Sequence, residues 1–568
     1  MVPYLFGLGL SAGRKFMWLG YNFDDSCVYL SWMRQSADGL ARTINLFTTD
    51  PQHGLAPNPF FWVLGRAAGL THLPLLGVYH GARLICGFVL LLAVWELIRA
   101  LIVPVPARRL AYLFVCFSAG LGWLPCWRDG SLAAPIDLWQ PEAITFLSLY
   151  LSPLFCFSMF LQVKIIHLLL VGERTGRFRY AIYAGLCGSV LGLTHTYDVV
   201  SLAAAWICYL LGSAVLLHRR GRPLSDTVPS WTRALAAGLI TLPAVAFIAY
   251  QLRSETVFRQ RALVATTAPA LHWVVLGYGV TLLFAAFATV LLIRSAIPTH
   301  RQTEDRLSRE PDAWTIDPEA ALLLIVWLIT NIAVSYIPVS FQRKMIQGAH
   351  FPIAILAGIG AACVLNRLRG TPSISRFPAF AFISTLILCL SNVHFMLRDT
   401  ENYSQNLAQT KLHRTYIQPG EIAALQWLRT HTAPGTAVQP LPWIGLLATD
   451  SGRQVFTREA TLMCITPGLI DRPVYCGHWG ETPDFFTKLA ELRMFATPRR
   501  TDSERIALLR SMHVRYVVFS QKRASDTSFE AAEAADELLP MFRGRIPLPG
   551  YLRLRYSNED ADVYEFVP

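Results

Sequence analysis

Long apolar runs separated by short polar segments fill the chain between about residue 76 and residue 398. Most of these runs approach the roughly 20 residues that an α-helix needs to cross a bilayer. The pattern therefore predicts an α-helical polytopic membrane protein with about 10 to 11 spans. The spans are predicted at residues 76–98, 110–127, 144–171, 180–193, 199–217, 234–250, 270–293, 320–338, 351–365 and 377–397.

The pattern changes after residue 398, where polar and apolar positions mix. Helical periodicity is predicted at 421–430, 483–495 and 503–511, and extended segments at 436–440 and 514–520. Alternating helices and strands are typical of a small α/β domain. The predicted organisation is an N-terminal segment and first outer loop with an acidic motif (1–75), a transmembrane helical domain (76–398) and an α/β domain (399–568).

The first residues fit this pattern poorly. Residues 3–10 are apolar, but Arg14 and Lys15 interrupt them well short of a span. The charged-then-apolar order and the cleavage site of a signal peptide are also missing. Two hypotheses stay open: a membrane helix precedes this segment, or the segment is a short interfacial or re-entrant helix.

Composition supports a membrane protein and gives its orientation. Hydrophobic residues make up 53% of the 568 positions, charged residues 15%, and the mean hydropathy is +0.38, which excludes a single soluble globule. The net charge of +12 comes largely from arginines in alternate short loops, as the positive-inside rule expects of cytoplasmic loops, and it indicates no nucleic-acid partner. These arginines are Arg99, Arg108, Arg109, Arg174, Arg177, Arg179, Arg219, Arg220, Arg222, Arg233, Arg294, Arg301, Arg306, Arg309, Arg367, Arg369 and Arg376.

The opposite loops are then extracytoplasmic, and they carry all the candidate chemistry. The predicted outer segments are the one around 24–25, the loops 123–142, 195–198, 253–267 and 341–350, and the chain after residue 398.

Two adjacent carboxylates, Asp24 and Asp25, follow the aromatic segment Tyr21-Asn22-Phe23. Adjacent carboxylates attract a divalent cation, and a positioned carboxylate is a competent general base. Asp-Asp-Ser before an apolar run is also typical of a helix N-cap. The motif thus predicts either chemistry or capping.

Further ionisable residues lie at the predicted outer ends of spans, where such groups are usually functional or paired. They are Asp137, Glu142, His195 and Asp198. The His195–Asp198 pair suits a metal ion or an acceptor, and a hydrogen bond within a packed bundle is the alternative. Pro141 before Glu142 indicates a helix start, so capping is the alternative for that carboxylate.

Five basic residues on the predicted outer side run against the orientation bias. They are Arg253, Arg259, Arg261, Arg343 and Lys344. A lipid-linked phosphate explains them, because arginine forms bidentate, charge-assisted bonds to phosphate. Attraction to anionic headgroups is the alternative. Arg343-Lys344, in a short loop between two predicted spans, is the more specific pair.

Several motifs resemble the GT-C superfamily of membrane glycosyltransferases, which includes protein O-mannosyltransferases and aminoarabinose transferases. The acidic pair in the first outer loop is the diagnostic one, and the resemblance covers nearly the whole chain. The segments that carry it are Asn22-Phe23-Asp24-Asp25 with Tyr29, Trp32-Met33-Arg34-Gln35, Asp38-Gly39, Asn58-Pro59, Leu138-Trp139-Gln140-Pro141-Glu142, His195-Thr196-Tyr197-Asp198, Phe341-Gln342-Arg343-Lys344 and Tyr475-Cys476-Gly477-His478-Trp479-Gly480-Glu481-Thr482-Pro483-Asp484.

The resemblance implies transfer of a sugar from a polyprenyl-phosphate donor to an envelope glycan, lipid or protein acceptor. The reaction is expected on the outer face of the bacterial cytoplasmic membrane. Asp24, Asp25 and Glu142 are the implied catalytic residues, with Asp24 the foremost, and a divalent cation (Mg²⁺, Mn²⁺ or Ca²⁺) on Asp24 and Asp25 is the candidate cofactor. The implied donor-phosphate residues are Arg343, Lys344, Arg253 and Arg259, and the acceptor or metal candidates are His195, Asp198, His478, Trp479 and Glu481. For the segment with His478, Trp479 and Glu481, packing of the domain against the membrane bundle is the favoured alternative.

A second function, in a different class, is a transporter or flippase for a lipid-linked glycan that performs no reaction. A transporter predicts polar residues at mid-depth of the bilayer and often internal repeats. The sequence shows neither. Cys464 and Cys476, both in the predicted outer domain, form a candidate disulfide if the compartment is oxidising.

Overall fold

The computed structural model describes residues 1–124, 134–296, 316–369, 377–408, 413–449, 452–459, 461–495, 500–520 and 548–568. The predicted loop residues Arg301, Arg306, Arg309 and Arg376, and part of the predicted loop 123–142, lie outside these ranges. The helices are α1 (Val2–Gly9), α2 (Phe23–Ala37), α3 (Pro59–Thr71), α4 (Leu75–Leu101), α5 (Val105–Phe117), α6 (Thr145–Leu151), α7 (Pro153–Thr175), α8 (Arg179–Thr194), α9 (Tyr197–Arg219), α10 (Val228–Ser254), α11 (Thr256–Leu263), α12 (Leu271–Ala296), α13 (Pro318–Val334), α14 (His350–Arg369), α15 (Phe377–Leu388), α16 (Leu390–Ser404), α17 (Pro419–His431), α18 (Thr461–Ile470), α19 (Phe485–Phe495) and α20 (Asp502–Ser511). The strands are β1 (Lys15–Phe16), β2 (Tyr416–Ile417), β3 (Val438–Pro440), β4 (Trp443–Thr449), β5 (Gly452–Glu459), β6 (Tyr516–Ser520), β7 (Leu552–Ser557) and β8 (Ala561–Phe566).

These elements form two compact units. The first contains Met1–His80, Gln251–Val264 and Leu397–Pro568, and the second contains Gly81–Tyr250 and Ala265–Met396. The change of unit at residue 397 lies close to the predicted boundary at 398. The N-terminal segment and the α/β domain, which the sequence pattern separates, belong to one unit together with helix α11.

The predicted α-helical membrane architecture is confirmed. By length and apolar composition, six helices among the described residues are suited to cross a membrane, or up to seven if the bent pair α15 and α16 is one span. The six are α4, α7, α9, α10, α12 and α14. The other predicted spans correspond to the shorter helices α5, α8 and α13, of 13, 16 and 17 residues.

Local backbone chemistry explains where the helices depart from the predicted spans. The predicted span 144–171 is split into α6 and α7, because Ser152 is extended (φ −135°, ψ 126°) and is followed by Pro153. Helix α12 is kinked at Gly279, whose φ of 46° and ψ of −127° lie outside the helical region. Hydrophobic length alone does not reveal either break.

In the first unit, the start of the chain pairs with its C-terminal part. Strand β1 pairs antiparallel with β2, so that Phe16 lies opposite Tyr416. The Tyr416 hydroxyl donates a hydrogen bond to the Gly7 carbonyl at 2.6 Å. Helix α1 has 8 residues, with Tyr4 buried. The hypothesis of a preceding membrane helix stays a prediction.

The predicted α/β domain is also confirmed. Its sheet has the order β3-β6-β8-β7, with β3 parallel to β6 and the other two pairs antiparallel. Side chains from α19, α20 and the sheet form one hydrophobic core that includes Leu492, Phe495, Leu509, Val517 and Tyr564. Sequence reasoning anticipated α17, α19, α20, β3 and β6. It missed α18, the hairpin β4–β5 and the hairpin β7–β8.

We expect the Gly358→Ala variant to lose stability, because α14 packs against the backbone of α5 at this residue. A Cβ atom on Gly358 lies 2.3 Å from the Ala111 nitrogen, so backbone must move, and overpacking of this kind costs about 1 to 3 kcal/mol. Gly238→Ala in α10 is the matched control, since no heavy atom lies within 4 Å of its added Cβ and alanine favours a helix. Thermal unfolding in detergent measures both. A Gly358→Ala midpoint equal to that of Gly238→Ala contradicts this packing.

Candidate active site

The acidic pair lies in the first turn of α2. The N-cap of this helix is Asn22, whose side chain makes no capping hydrogen bond. The N-cap interpretation of Asp24 and Asp25 is therefore wrong. Carboxylates in the first turn still stabilise a helix, because they interact favourably with the helix dipole. Consecutive residues of an α-helix point about 100° apart. The two carboxylates accordingly meet different surroundings.

Asp24 faces inward and contacts a histidine of the C-terminal segment. Its exposed fraction is 6%, and its Oδ1 atom contacts Nε2 of His413. The His413 ring stacks on Phe23 with 4.5 Å between centroids and 16° between ring planes. The Cys464 thiol donates to the same Oδ1 atom at 3.8 Å. Sequence reasoning missed His413, because it lies in a polar stretch that matches no motif.

Asp25 faces outward and also lies near a histidine. Its side chain is 49% exposed, and Oδ1 lies 3.9 Å from Nε2 of the buried His478. The backbone N–H groups of Gly480 and Glu481 donate to His478 Nδ1 at 3.0 and 3.1 Å. Nδ1 is therefore an acceptor, which assigns the ring proton to Nε2, on the Asp25 side. Trp479, 40% exposed, stacks on His478 with 5.9 Å between centroids.

Glu481 forms an ion pair and does not face an open site. Its buried carboxylate pairs with Arg261 Nε at 2.6 Å, and the Arg261 guanidinium lies 5.4 Å from the centre of the Trp32 ring. Arg261 therefore belongs to the same region of the first unit as His478. Arg253 and Arg259, which the sequence favoured as phosphate ligands, are exposed at the surface of this unit.

In the second unit, Arg343 and Lys344 precede α14 and lie against aromatic rings. The Arg343 guanidinium is 5.4 Å from the centre of the Trp139 ring, and the Lys344 ammonium is 5.0 Å from that of Tyr197. Gln140 donates to the Arg343 carbonyl at 3.0 Å, which ties this loop to the Trp139 segment. Within the described ranges, no carboxylate pairs with either cation. Both are therefore available to another anion.

The carboxylates Asp137 and Glu142 differ in their partners. Asp137 is fully buried and accepts hydrogen bonds from the Gly120 and Gly122 amides at 3.0 and 3.1 Å, and burial raises its pKa to about 6. These hydrogen bonds indicate that Asp137 stabilises the loop that contains Gly120 and Gly122. Glu142 is the middle residue of the short turn Pro141–Ala143, is 8% exposed, and has no hydrogen-bond or ion-pair partner among the described residues. Helix capping does not account for it.

His195 and Asp198 form a buried pair at the start of α9. Their Nδ1 and Oδ2 atoms are 3.0 Å apart, and the Asp198 side chain is fully buried. Gln347 donates to Asp198 Oδ2 at 2.9 Å. These contacts favour the packing alternative over an acceptor site.

The described residues do not form a ready metal site. Within them, no group of three His, Cys, Asp or Glu side chains is placed to hold a metal ion. Asp24 and Asp25 diverge from the helix instead of converging on one point. The side chains present therefore do not fit the predicted cation by themselves, and the cation stays a prediction.

The candidate disulfide between Cys464 and Cys476, which the sequence left open, is not formed. Both residues are free and buried. Cys464 lies beside Asp24, whereas the Cys476 sulfur lies 3.9 Å from the Phe485 carbonyl oxygen. Burial raises the pKa of both thiols, so they stay protonated.

The fold is similar to that of solved oligosaccharyltransferases and of a solved arabinofuranosyltransferase. The oligosaccharyltransferase AglB of Archaeoglobus fulgidus, solved with an inhibitory peptide and a dolichol-phosphate, superposes with a TM-score of 0.50 at 13% identity, over 91% of this chain and 68% of its own. The Archaeoglobus fulgidus oligosaccharyltransferase tethered to an NVT-containing acceptor peptide gives 0.51 at 14% identity, over 100% and 73%.

A third similar structure is the mycobacterial arabinofuranosyltransferase AftD. It gives a TM-score of 0.50 at 15% identity, and the match covers 100% of this chain and 39% of that enzyme. No protein-family model and no curated protein sequence matches the chain. At these identities the likeness concerns the fold.

Proposed function

We propose that this protein is a glycosyltransferase that moves a sugar from a polyprenyl-phosphate donor to an acceptor outside the cytoplasm. The observation that carries the proposal is the acidic pair in the first turn of α2, where Asp24 contacts His413 and Asp25 faces His478. This arrangement occurs on a fold shared with glycosyltransferases. The dolichol-phosphate bound to archaeal AglB, a polyprenyl-type phosphate, supports the donor class.

Asp24 is the proposed general base. Catalysis by a carboxylate depends on a fixed orientation, and the contact with His413 holds Asp24 in one. In the reaction the acceptor gives its proton to Asp24, and the acceptor atom forms a bond to the anomeric carbon. The bond from that carbon to the phosphate oxygen breaks, and its electron pair leaves with the polyprenyl phosphate. No step in this scheme requires a metal ion.

Asp25, His478 and Trp479 form the proposed acceptor contact. Asp25 is the more exposed carboxylate, and His478 presents an N–H group towards it. The exposed face of Trp479 provides an aromatic surface of the kind on which sugar rings stack. A glycan, a lipid headgroup and a protein all fit this chemistry. Glu481 acts indirectly, through its ion pair with Arg261.

Arg343 and Lys344 are the proposed ligands of the donor phosphate. A cation that already pairs with a carboxylate binds a phosphate less readily. Within the described ranges, neither Arg343 nor Lys344 pairs with a carboxylate. Stacking on Trp139 leaves the edge N–H groups of the Arg343 guanidinium for a bidentate contact. Such donors stabilise the charge that develops on a leaving phosphate. Glu142, which follows Gln140 by two residues and has no partner among the described residues, is a second catalytic candidate.

The proposed location is the bacterial cytoplasmic membrane, with the α/β domain outside and the Arg219–Arg233 loop inside. We expect a Ser503→Cys variant to react with a membrane-impermeant maleimide in intact spheroplasts, since Ser503 is exposed at the start of α20. Ser225→Cys, equally exposed in the basic loop, is the matched control and should react only after lysis. Labelling in the reverse order contradicts the orientation.

Asp24→Asn should abolish turnover while leaving the fold intact. The amide keeps the size of the side chain but accepts no proton, and loss of a general base lowers rates by about 10² to 10⁴, or about 3 to 5 kcal/mol of barrier. Asp25→Asn should instead raise the apparent KM of the acceptor. Product formation by purified variants from undecaprenyl-phosphate monosaccharides measures both effects, and thermal unfolding controls for folding. Wild-type turnover by both variants rules out catalysis by the pair and favours the flippase.

Arg343→Ala should weaken donor use by about 1.5 to 3 kcal/mol, the size of a lost hydrogen bond to a charged group. The expected change is a higher donor KM. The increase should be smaller in Arg343→Lys, because lysine keeps the positive charge but cannot form the bidentate contact. Arg220→Ala, an exposed arginine of the basic loop, is the control. If Arg343→Ala and Arg220→Ala behave alike, Arg343 serves only as a contact to lipid headgroups.

A further inference from the structure

We infer that His413 is a positioning residue for Asp24. The inference rests on the proposed function, because it concerns how the proposed base is held. It adds a residue from the C-terminal segment to a site otherwise marked by the N-terminal acidic motif. His413 does not itself exchange a proton with the substrate in this proposal. Its role is to fix the direction of the Asp24 carboxylate.

The His413 ring has little freedom. It is 4% exposed and lies against Phe23, the residue just before Asp24, at 4.5 Å and nearly parallel. The histidine therefore contacts two successive residues of α2. Stacking on Phe23 sets the plane of the imidazole, and the contact with Asp24 uses an atom at the edge of that plane.

The hydrogen-bonding pattern assigns the ring proton. Nδ1 of His413 is buried and has no hydrogen-bond partner among the residues that the structure describes. A proton on Nδ1 would thus be buried without an acceptor, which is costly. The tautomer with the proton on Nε2 places an N–H donor directly on Asp24 Oδ1. The Cys464 thiol, kept protonated by its burial, is a second and weaker donor to the same oxygen.

The backbone around His413 is held as well. The Ala408 amide donates to the His413 carbonyl at 2.8 Å, in an isolated antiparallel bridge. The next residue, Arg414, donates its amide to the Thr461 hydroxyl at 2.8 Å, and Thr415 donates its hydroxyl to the Leu407 carbonyl at 2.6 Å. His413 is thus fixed from its backbone to its ring. A fixed donor can impose an orientation on the carboxylate that it contacts.

Two substitutions separate positioning from packing. His413→Phe keeps a ring to stack on Phe23 but removes the N–H donor. His413→Gln removes the ring but keeps an N–H donor at a similar reach. If His413 positions Asp24, the Phe variant should lose about 10- to 100-fold in kcat, because small misplacements of a catalytic group have effects of this size. The donor KM should stay within about twofold, and the Gln variant should recover most of the lost kcat.

The measurement uses the full-length protein in nanodiscs with a panel of tritiated undecaprenyl-phosphate monosaccharides. Transferred sugar and hydrolysed sugar are both counted, and Asp24→Asn is assayed alongside. His431→Phe is the matched control, because His431 also stacks on an aromatic ring, that of Trp427, at 4.5 Å, but is exposed. It should retain wild-type kinetics.

The outcomes distinguish this inference from the proposed function. An inactive Asp24→Asn with a fully active His413→Phe overturns the positioning role and leaves the function standing. Full activity of Asp24→Asn overturns the base assignment itself. Equal losses in the Phe and Gln variants, both melting normally, show that the imidazole matters for something other than its donor. If His413→Phe does not fold, the Gln variant decides: near-wild-type kcat supports positioning, and loss of kcat with native melting overturns it.

Discussion

The packing of α2 against α18 is the contact on which the candidate active site depends. Gly468 of α18 lies directly on α2, and a Cβ atom there would be 2.9 Å from the Leu30 Cβ. Any larger residue would push the two helices apart. Their close approach brings Cys464 to Asp24 and lets the C-terminal segment present His413 to the same carboxylate. Because the contact relies on the absence of a side chain, no hydrophobic pattern in the sequence reveals it.

The arrangement gives two adjacent carboxylates different properties. Asp24 is enclosed, with a thiol and an imidazole at one oxygen, whereas Asp25 is about half exposed. Burial strengthens electrostatic interactions and restricts motion, and exposure allows contact with a large substrate. A single helical turn thus provides one oriented and one accessible carboxylate. The same turn would offer two equivalent groups if it lay on an exposed helix.

Sequence reasoning succeeded where a long pattern carries the signal. Each of the ten predicted spans overlaps one apolar helix, or two helices at 144–171 and 377–397, because long apolar runs are easy to recognise in a sequence. The acidic pair, His478 and Arg343 were found as local motifs. Hydropathy did not reveal the breaks at Ser152 and Gly279, since they depend on backbone conformation.

The residues that sequence reasoning missed act through contacts over long sequence separations. His413 has no neighbouring motif, and Arg261 was noted only as one of several outer cations until its pairing with Glu481 distinguished it. Helix α18 is short, contains Pro467 and is buried at nearly every position, so it shows no amphipathic period. The sequence left the Cys464–Cys476 pairing open for the same reason, because a shared location in one domain does not determine which side chains are in contact.

The short pairing of β1 with β2 has a consequence for how the protein is made. The Gly7 carbonyl receives its hydrogen bond from a tyrosine 409 positions later, and Asp24 meets Cys464 across 440 positions. During translation the acidic motif therefore emerges long before the groups that orient it. A nascent or truncated chain carries the carboxylates without their partners. The proposed site is therefore complete only after residue 464 has been synthesised.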